Sequence, residues 1–306
     1  MQTSLTKRLR YFLEYALAMA VIGLLRLLPL TWTDWIVRRA AGLGFLLLAR
    51  RREIALSNLD IAFGDSLEAR RKTQIARQAF ESMALGAAEL FLVKKLLRDE
   101  PKHFEIIGKD HLDRAFARGK GIVLAVSHIG SWELLSVLSR FIAPHRASVI
   151  VKEIRNPFLD AAVNRMRRRT EVHPLAKDTS IRTTFAELRG NGIVAILIDQ
   201  WAGPEGAWID FFGCPTSTTT LPERIARKTG SAVLPAYCVR TGIGRFEIRI
   251  HEEIPLAPEN PQGEAATARK LNRFFEGVIR SHPEQWTWGH NRWKSRPTTK
   301  QAGARP

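Results

Sequence analysis

The chain has 306 residues, 45% of them apolar, with 47 Lys and Arg against 30 Asp and Glu and a formal net charge of +17. That length suits one large domain or two small ones, and the charge points to an anionic partner: nucleic acid, an acidic protein or phosphate-bearing lipid. Cys214 and Cys238 lie far apart and in no metal spacing, which disfavours a disulfide scaffold or a zinc site and fits a reducing, cytoplasm-facing location.

Tyr15 to Leu25 carries no charge and is flanked by Glu14 and Arg26; a second apolar run covers Ala40 to Ala49. The first run is shorter than the roughly 20 residues of a spanning helix unless Arg26 snorkels toward headgroups. Lys7, Arg8 and Arg10 precede it, while Arg38, Arg39, Arg50, Arg51 and Arg52 follow, so the flanks give no inside/outside asymmetry. The pattern suits helices lying in an anionic membrane surface, or one marginal span, with ordinary buried helices as the alternative. No small-residue cleavage site follows, so a signal peptide is not expected.

Glu68 to Leu97 has helical periodicity, Phe104 to Gly108 reads as a short strand, and Asp110 to Arg118 as a helix ended by Gly119. The apolar β-branched run from Gly121 to Val126 then ends in Ser127-His128 and crosses a Gly130-Ser131 turn into the helical pattern from Glu133 to Leu138. Ala147 to Val151 predicts a strand, Pro157 to Arg169 a basic amphipathic helix, and Ile181 to Leu188 a helix stopped by Gly190 and Gly192. Ile193 to Ile198 is a fully apolar strand ending in Asp199-Gln200; Thr220 to Lys228 and Ala265 to Arg280 are helical, and Ala232 to Val239 and Phe246 to Ile250 are strands. Strands alternating with helices predict an α/β fold, a mixed and largely parallel sheet flanked by helices. The expected organisation is a membrane-associated helical segment over 1–60, a catalytic domain over 61–297 and a disordered tail over 298–306.

In open α/β sheets, sites are built at the carboxyl ends of strands. His128 stands at such an end, and a turn before the next helix lets Glu133 fold back toward the imidazole, where a carboxylate fixes the tautomer and supports the imidazolium. The alternatives are a structural histidine and a glutamate that merely favours a helix start. Asp199 repeats the arrangement at a second strand end, so the two ends are expected to converge on one cleft; a turn-capping aspartate is the alternative. The run Thr216-Ser217-Thr218-Thr219-Thr220 is expected to open a helix whose hydroxyls and N–H groups hold a phosphate or supply a plain N-cap.

The chain resembles the late acyltransferases of lipid A biosynthesis, the lauroyl- and myristoyl-transferase group of the lysophospholipid acyltransferase superfamily. The resemblance rests on His128-x4-Glu133 after an apolar strand, Arg155-Asn156-Pro157-Phe158-Leu159-Asp160, Asp199-Gln200, the Phe211-Phe212-Gly213 to Thr220 segment, and the ending Pro283-Glu284-Gln285-Trp286-Thr287-Trp288-Gly289-His290-Asn291-Arg292-Trp293-Lys294. It implies a glycerolipid acyltransferase-like fold and transfer of a fatty acyl group from an acyl carrier protein or coenzyme A thioester to a hydroxyl of a lipid A precursor or related phosphoglycolipid. It also implies a place on the cytoplasmic face of the bacterial inner membrane and no cofactor beyond the thioester donor. His128 is then the general base oriented by Glu133, and Lys152, Arg155, Asp199, Gln200 and Thr219 are the candidate substrate-binding residues. Lys152 stands where family members often carry arginine, and lysine lacks the bidentate fork that arginine offers a phosphate. The expected partners are an acidic acyl carrier protein, docked on Arg165 and Arg167 to Arg169 unless that helix is only a solvated face, together with an anionic glycolipid acceptor and the membrane surface. Lysophospholipid, mannoside or ornithine-lipid acceptors are alternatives of the same fold. A membrane-tethered nucleic-acid-binding protein is the distant alternative; no basic-aromatic groove supports it, and no nucleic acid is expected.

Overall fold

A computed structural model describes residues 5–176, 181–258 and 265–294; the expected tail over 298–306 lies outside them. Among the described residues, seven strands form one sheet: β1 (Phe104–Ile107), β2 (Ile122–Gly130), β3 (Ala147–Val151), β4 (Val172–Ala176), β5 (Ile193–Leu197), β8 (Ala232–Gly242) and β9 (Arg245–Ile250), in the order β1-β9-β8-β2-β5-β3-β4. All neighbours are parallel except β8 and β9, which form an antiparallel hairpin. The mixed, largely parallel sheet is therefore as expected. Strands β6 (Ala207–Phe211) and β7 (Cys214–Thr218) form a separate antiparallel hairpin.

The central strand β2 is apolar along its length because both its faces are covered. Ile122, Leu124 and Val126 join one core with the 3₁₀ segment Trp132–Phe141 and helix α6 (Lys109–Phe116). Val123 and Ala125 join the opposite core with α8 (Ile181–Arg189), α9 (Leu221–Thr229) and α10 (Ala266–Ser281). A third core holds Trp286 and Trp288 against α3 (Ala49–Phe63), α4 (Ala69–Leu96) and the β6–β7 turn.

The amino-terminal residues form α1 (Leu5–Leu27), α2 (Leu30–Leu47) and α3. Tyr15, Met19 and Ile22 of α1 pack against Leu90 and Phe91 of α4 and Ala162 and Met166 of α7 (Pro157–Arg169). On its other side Leu9, Leu13, Leu17, Val21 and Leu24 are exposed, so α1 is apolar on both faces. Among the described residues no helix is long and apolar enough to cross a membrane. Arg26 is exposed, and its Nε donates to the carbonyl of Phe91.

Two expectations fail locally. The Thr-Ser run does not open a helix: Thr216 to Thr218 finish β7 and α9 begins at Leu221. The hairpin closes through Phe212 (φ 54°) and Gly213 (φ 70°), the left-handed pair that a two-residue turn matching the strand twist requires. The segment after β2 is a 3₁₀ helix from Trp132, tighter than the α-helix expected from Glu133.

A buried ion pair fastens α4 to the sheet. Arg240 of β8 donates Nε to Glu89 Oε1 at 2.7 Å and Nη2 to Glu89 Oε2 at 2.6 Å, and Nη2 also reaches Ser131 in the turn after β2. Removing one member strands the other as an uncompensated buried charge. Arg240→Met is expected to destabilise the protein by about 3–5 kcal/mol in denaturant unfolding, and the double change with Glu89→Leu to recover most of that loss.

Candidate active site

Val126 pairs with Leu197 in the β2–β5 register, so residues two further along each strand, His128 and Asp199, leave the sheet side by side. The β2–β8 pairing is irregular between Val126 and Gly130 and resumes at Gly130, opposite Cys238, where φ is +58° and an added Cβ would lie 2.2 Å from the Cys238 carbonyl oxygen. Only glycine fits there, and the local irregularity aims the His128 ring out of the sheet edge.

Asp199, 2% exposed, accepts four hydrogen bonds: from Ser127 Oγ at 2.7 Å, the His128 amide at 2.8 Å, His128 Nδ1 at 2.7 Å and Trp286 Nε1 at 2.7 Å. Burial alone would raise its carboxyl pKa, but His128 and the donors from Ser127 and Trp286 outweigh it, leaving the group well below the usual carboxylate range. An ionised Asp199 accepts only, so His128 carries its proton on Nδ1 and presents the Nε2 lone pair to the cleft. Gln200 Nε2 approaches His128 Nε2 at 3.4 Å, and the Trp132 ring packs edge-on against the imidazole at 5.2 Å.

Glu133 does not reach His128. Its carboxylate is held bidentately by Arg167 of α7, with Arg167 Nε to Oε2 at 3.0 Å and Nη2 to Oε1 at 2.5 Å. The group expected to orient the imidazole is therefore a salt-bridge partner across the cleft, and Asp199 occupies the orienting position. Arg167 accordingly points inward, 13% exposed in its side chain, whereas Arg165, Arg168 and Arg169 remain on the exposed side of α7.

A polar cleft of about 840 Å³ contains His128, Trp132, Glu133, Lys152, Arg167, Gln200, Thr219 and His290, with Arg50, Arg51 and Lys294 among its cationic lining. Lys152, Gln200 and Thr219 line this cleft together with His128, while Asp199 sits beneath it as a support. Arg155 is exposed and lies off this lining. Its neighbour Asn156 is structural: the side chain caps α7 by accepting from the amides of Phe158 and Leu159 and donates to the Tyr11 carbonyl of α1. Trp132, Glu133, Arg167 and Leu197 also line a narrow apolar crevice between the 3₁₀ segment and the sheet, bounded further in by Leu124, Val126, Leu138, Ile142 and Val149.

The carboxyl-terminal motif builds the floor. Besides the Trp286 contact with Asp199, Asn58 Nδ2 donates to the carbonyls of Trp288 and His290 at 2.7 Å each. Arg292 is fully buried, donates to the Gln200 carbonyl at 2.9 Å and to Thr218 Oγ1 at 2.8 Å, and faces the Phe211 ring. Burial lowers its pKa to about 10, so it stays charged at neutral pH. Of the run read as a phosphate hold or a plain N-cap, Thr216 donates to the Arg292 carbonyl and Ser217 to that of Gly203, while Thr219 accepts from the Leu221 amide at the start of α9.

Sequence reasoning assigned no role to Ser127, Trp286 or Arg292 and misplaced Arg167. Ser127, beside a histidine at an apolar strand's end, was a signal for the first. Four arginines within five helical positions of α7 were a signal for the last, since they span more than one face.

The chain falls in the class of acyltransferases built on an α/β sheet. The sequence profile of bacterial lipid A biosynthesis acyltransferases matches residues 2–295, and the chain belongs to that family. It is similar to the lipid A biosynthesis lauroyltransferase of Escherichia coli, 27% identical over 301 residues covering 94% of this chain and 93% of the relative. The E. coli lipid A biosynthesis palmitoleoyltransferase is 26% identical over 295 residues, with the same coverage of each chain. A phosphatidylinositol mannoside acyltransferase of Mycobacterium tuberculosis is 30% identical over 194 residues, and that match spans 61% of this chain and 58% of the relative's length.

His290 gives the site a pH signature. Burial, with Arg292, Arg51 and His128 nearby, outweighs the attraction of Asp199 and lowers its pKa from 6.5 to about 4. The unfolded chain therefore binds a proton that the folded one rejects between those values, so stability falls as pH drops through this window. The loss attributable to His290 is at most about 3 kcal/mol, and His290→Gln is expected to flatten the slope in unfolding measured from pH 7 to pH 4.

Proposed function

We propose that the protein transfers a fatty acyl group from a thioester donor to a hydroxyl of an anionic membrane glycolipid, of the lipid A precursor or phosphatidylinositol mannoside type. The observation that carries this reading is His128 Nδ1 bound to the ionised Asp199, with Nε2 facing a cationic cleft that opens into an apolar crevice. His128 Nε2 takes the proton of the acceptor hydroxyl as its oxygen attacks the thioester carbonyl carbon. The C–O bond forms, the C–S bond breaks, and the departing thiolate receives the proton from the imidazolium. Asp199 stabilises that imidazolium, and no covalent acyl-enzyme is required because the thioester is already activated. Lys152, Arg50, Arg51 and Lys294 suit acceptor phosphate, the crevice suits the acyl chain, and the Glu133–Arg167 pair stands at the junction of the two. Exposed Arg165, Arg168 and Arg169 suit an acidic acyl carrier protein as donor.

His128→Ala is expected to lower acyl transfer by about 10²–10⁴-fold with the fold retained, and Asp199→Asn by a similar factor. In double-mutant cycles on kcat/KM, His128 should couple to Asp199, and Glu133 to Arg167. Wild-type turnover by purified His128→Ala protein defeats the mechanism, and coupling of Glu133 to His128 instead of Arg167 restores the orienting role to Glu133.

The same reading puts the protein on a membrane surface through α1 and α2. Besides the α1 stripe, Trp32, Trp35, Leu43, Leu46 and Leu47 of α2 are exposed, and the flanking arginines favour anionic headgroups. The full chain is expected to co-sediment with vesicles containing anionic lipid, and Leu13→Glu/Leu17→Glu to release it with its thermal stability unchanged, since neither side chain is buried.

A further inference from the structure

The Gln200–Trp201 peptide is held from both sides. Its carbonyl accepts from the buried Arg292 guanidinium at 2.9 Å, and its N–H donates to His290 Nε2 at 3.3 Å. A trans peptide points these two groups in opposite directions, and a cation on the carbonyl polarises the N–H into a better donor. An Nε2 that accepts carries no proton, so the neutral His290 ring has its proton on Nδ1. Burial, with His128, Arg292 and Arg51 against the pull of Asp199, keeps the ring neutral above a pKa of about 4. Nδ1 has no hydrogen-bond partner among the described residues, and the half-buried ring lines the cleft that contains His128. The base is a short way off. Gln200, whose peptide aims His290, ends its side chain 3.4 Å from His128 Nε2, and the charges of His128 and Asp199 both act on the His290 ring.

Resting on the acyl-transfer reading, we propose that His290 is a second catalytic residue, a neutral donor whose Nδ1–H stabilises the oxyanion formed at the thioester carbonyl. As the acceptor oxygen bonds to the carbonyl carbon, the carbonyl π pair moves onto its oxygen, which accepts from Nδ1–H; the proton stays on His290. When the C–S bond breaks, that pair returns to the carbonyl and the thiolate takes its proton from His128. The two histidines hold the same tautomer to opposite ends. His128 has its Nδ1–H taken by Asp199 and offers a lone pair, while His290 has its Nε2 taken by the Trp201 amide and offers a proton. A donor fixed before the charge develops costs no reorganisation, and a neutral imidazole can serve as that electrophile. An imidazolium there would oppose the one that forms on His128.

The test measures acyl transfer from dodecanoyl-CoA to a lipid A precursor, in detergent micelles, by the full chain and by variants that imitate different ring nitrogens. Asparagine puts its amide group near the place of Nδ1, glutamine near that of Nε2, and alanine replaces neither. The backbone bonds of His290 to Thr287, Asn58 and Arg292 are available to all three. His290→Ala and His290→Gln are expected to lower kcat by about 10²–10³-fold with the KM for dodecanoyl-CoA little changed, and His290→Asn to stay within about tenfold of wild type. In ¹⁵N NMR of histidine-labelled protein at neutral pH, the His290 proton is expected on Nδ1. Recovery by His290→Gln and not by His290→Asn would assign His290 to holding the Trp201 peptide and overturn the inference. So would near-wild-type kcat in His290→Ala, or a proton found on Nε2; each leaves the acyl-transfer reading standing. Absence of transfer by the wild-type chain, or wild-type turnover by His128→Ala, overturns that reading itself and the inference with it.

Discussion

The buried carboxylate of Asp199 is the constraint on which the site depends. Its donors come from the end of β2 and from the carboxyl-terminal segment, while its own backbone continues β5. A carboxylate taken out of water is stable only where its lone pairs are satisfied, so the three segments are held together at this one group. Trp286 is bonded at its Nε1 and bridged at its backbone to Ile129. The orientation of His128 is therefore tied to the docking of a segment more than 150 residues away in sequence. The aromatic ending is explained by this role: Trp286, Trp288 and Arg292, bonded in part by Asn58 of α3, are architecture beneath the cleft, while His290, Asn291 and Lys294 of the same ending line the cleft itself.

Elements whose apolar pattern is uninterrupted were legible in the sequence. β3 and α7 have the predicted ends, and β2, β5, β8, β9 and α10 differ by a few residues at most. β4 was not, because Pro174 interrupts Val172–Ala176 and a proline argues against a central strand; β4 is an edge strand, where the missing donor is tolerated. The β6–β7 hairpin was hidden because Phe212 adopts the left-handed conformation usually left to glycine or asparagine. Thr216 and Thr218 alternate with Ser217 as strand residues do, but their hydroxyls read as a helix cap.

The site was half legible for a related reason. Strand ends are local features, so His128 and Asp199 could be expected to converge, and their pairing follows from the Val126–Leu197 register. Side-chain partnership is not local. Glu133 is close to His128 in sequence, yet Asp199 already holds Nδ1 and Arg167 supplies Glu133 with a bidentate, charge-matched partner that an imidazole does not offer. Sequence proximity suggested the wrong carboxylate; the topology of a parallel sheet supplies the right one.

The amino-terminal helices show the opposite limit. Hydrophobic periodicity reports contrast between two faces of a helix, and α1 offers little, since Tyr15, Met19 and Ile22 face α4 and α7 while Leu9, Leu13 and Leu17 face outward. Such a helix reads equally as a span, a core element or an interfacial element. Packing divides it. The inner stripe has a protein partner, Arg26 donates to the Phe91 carbonyl, and Asn156 at the start of α7 bonds the Tyr11 carbonyl. A helix anchored along one side cannot leave the body to insert lengthwise without breaking those contacts. Its outer apolar stripe stays exposed, and that stripe with its flanking arginines is what the proposed membrane-surface reading rests on.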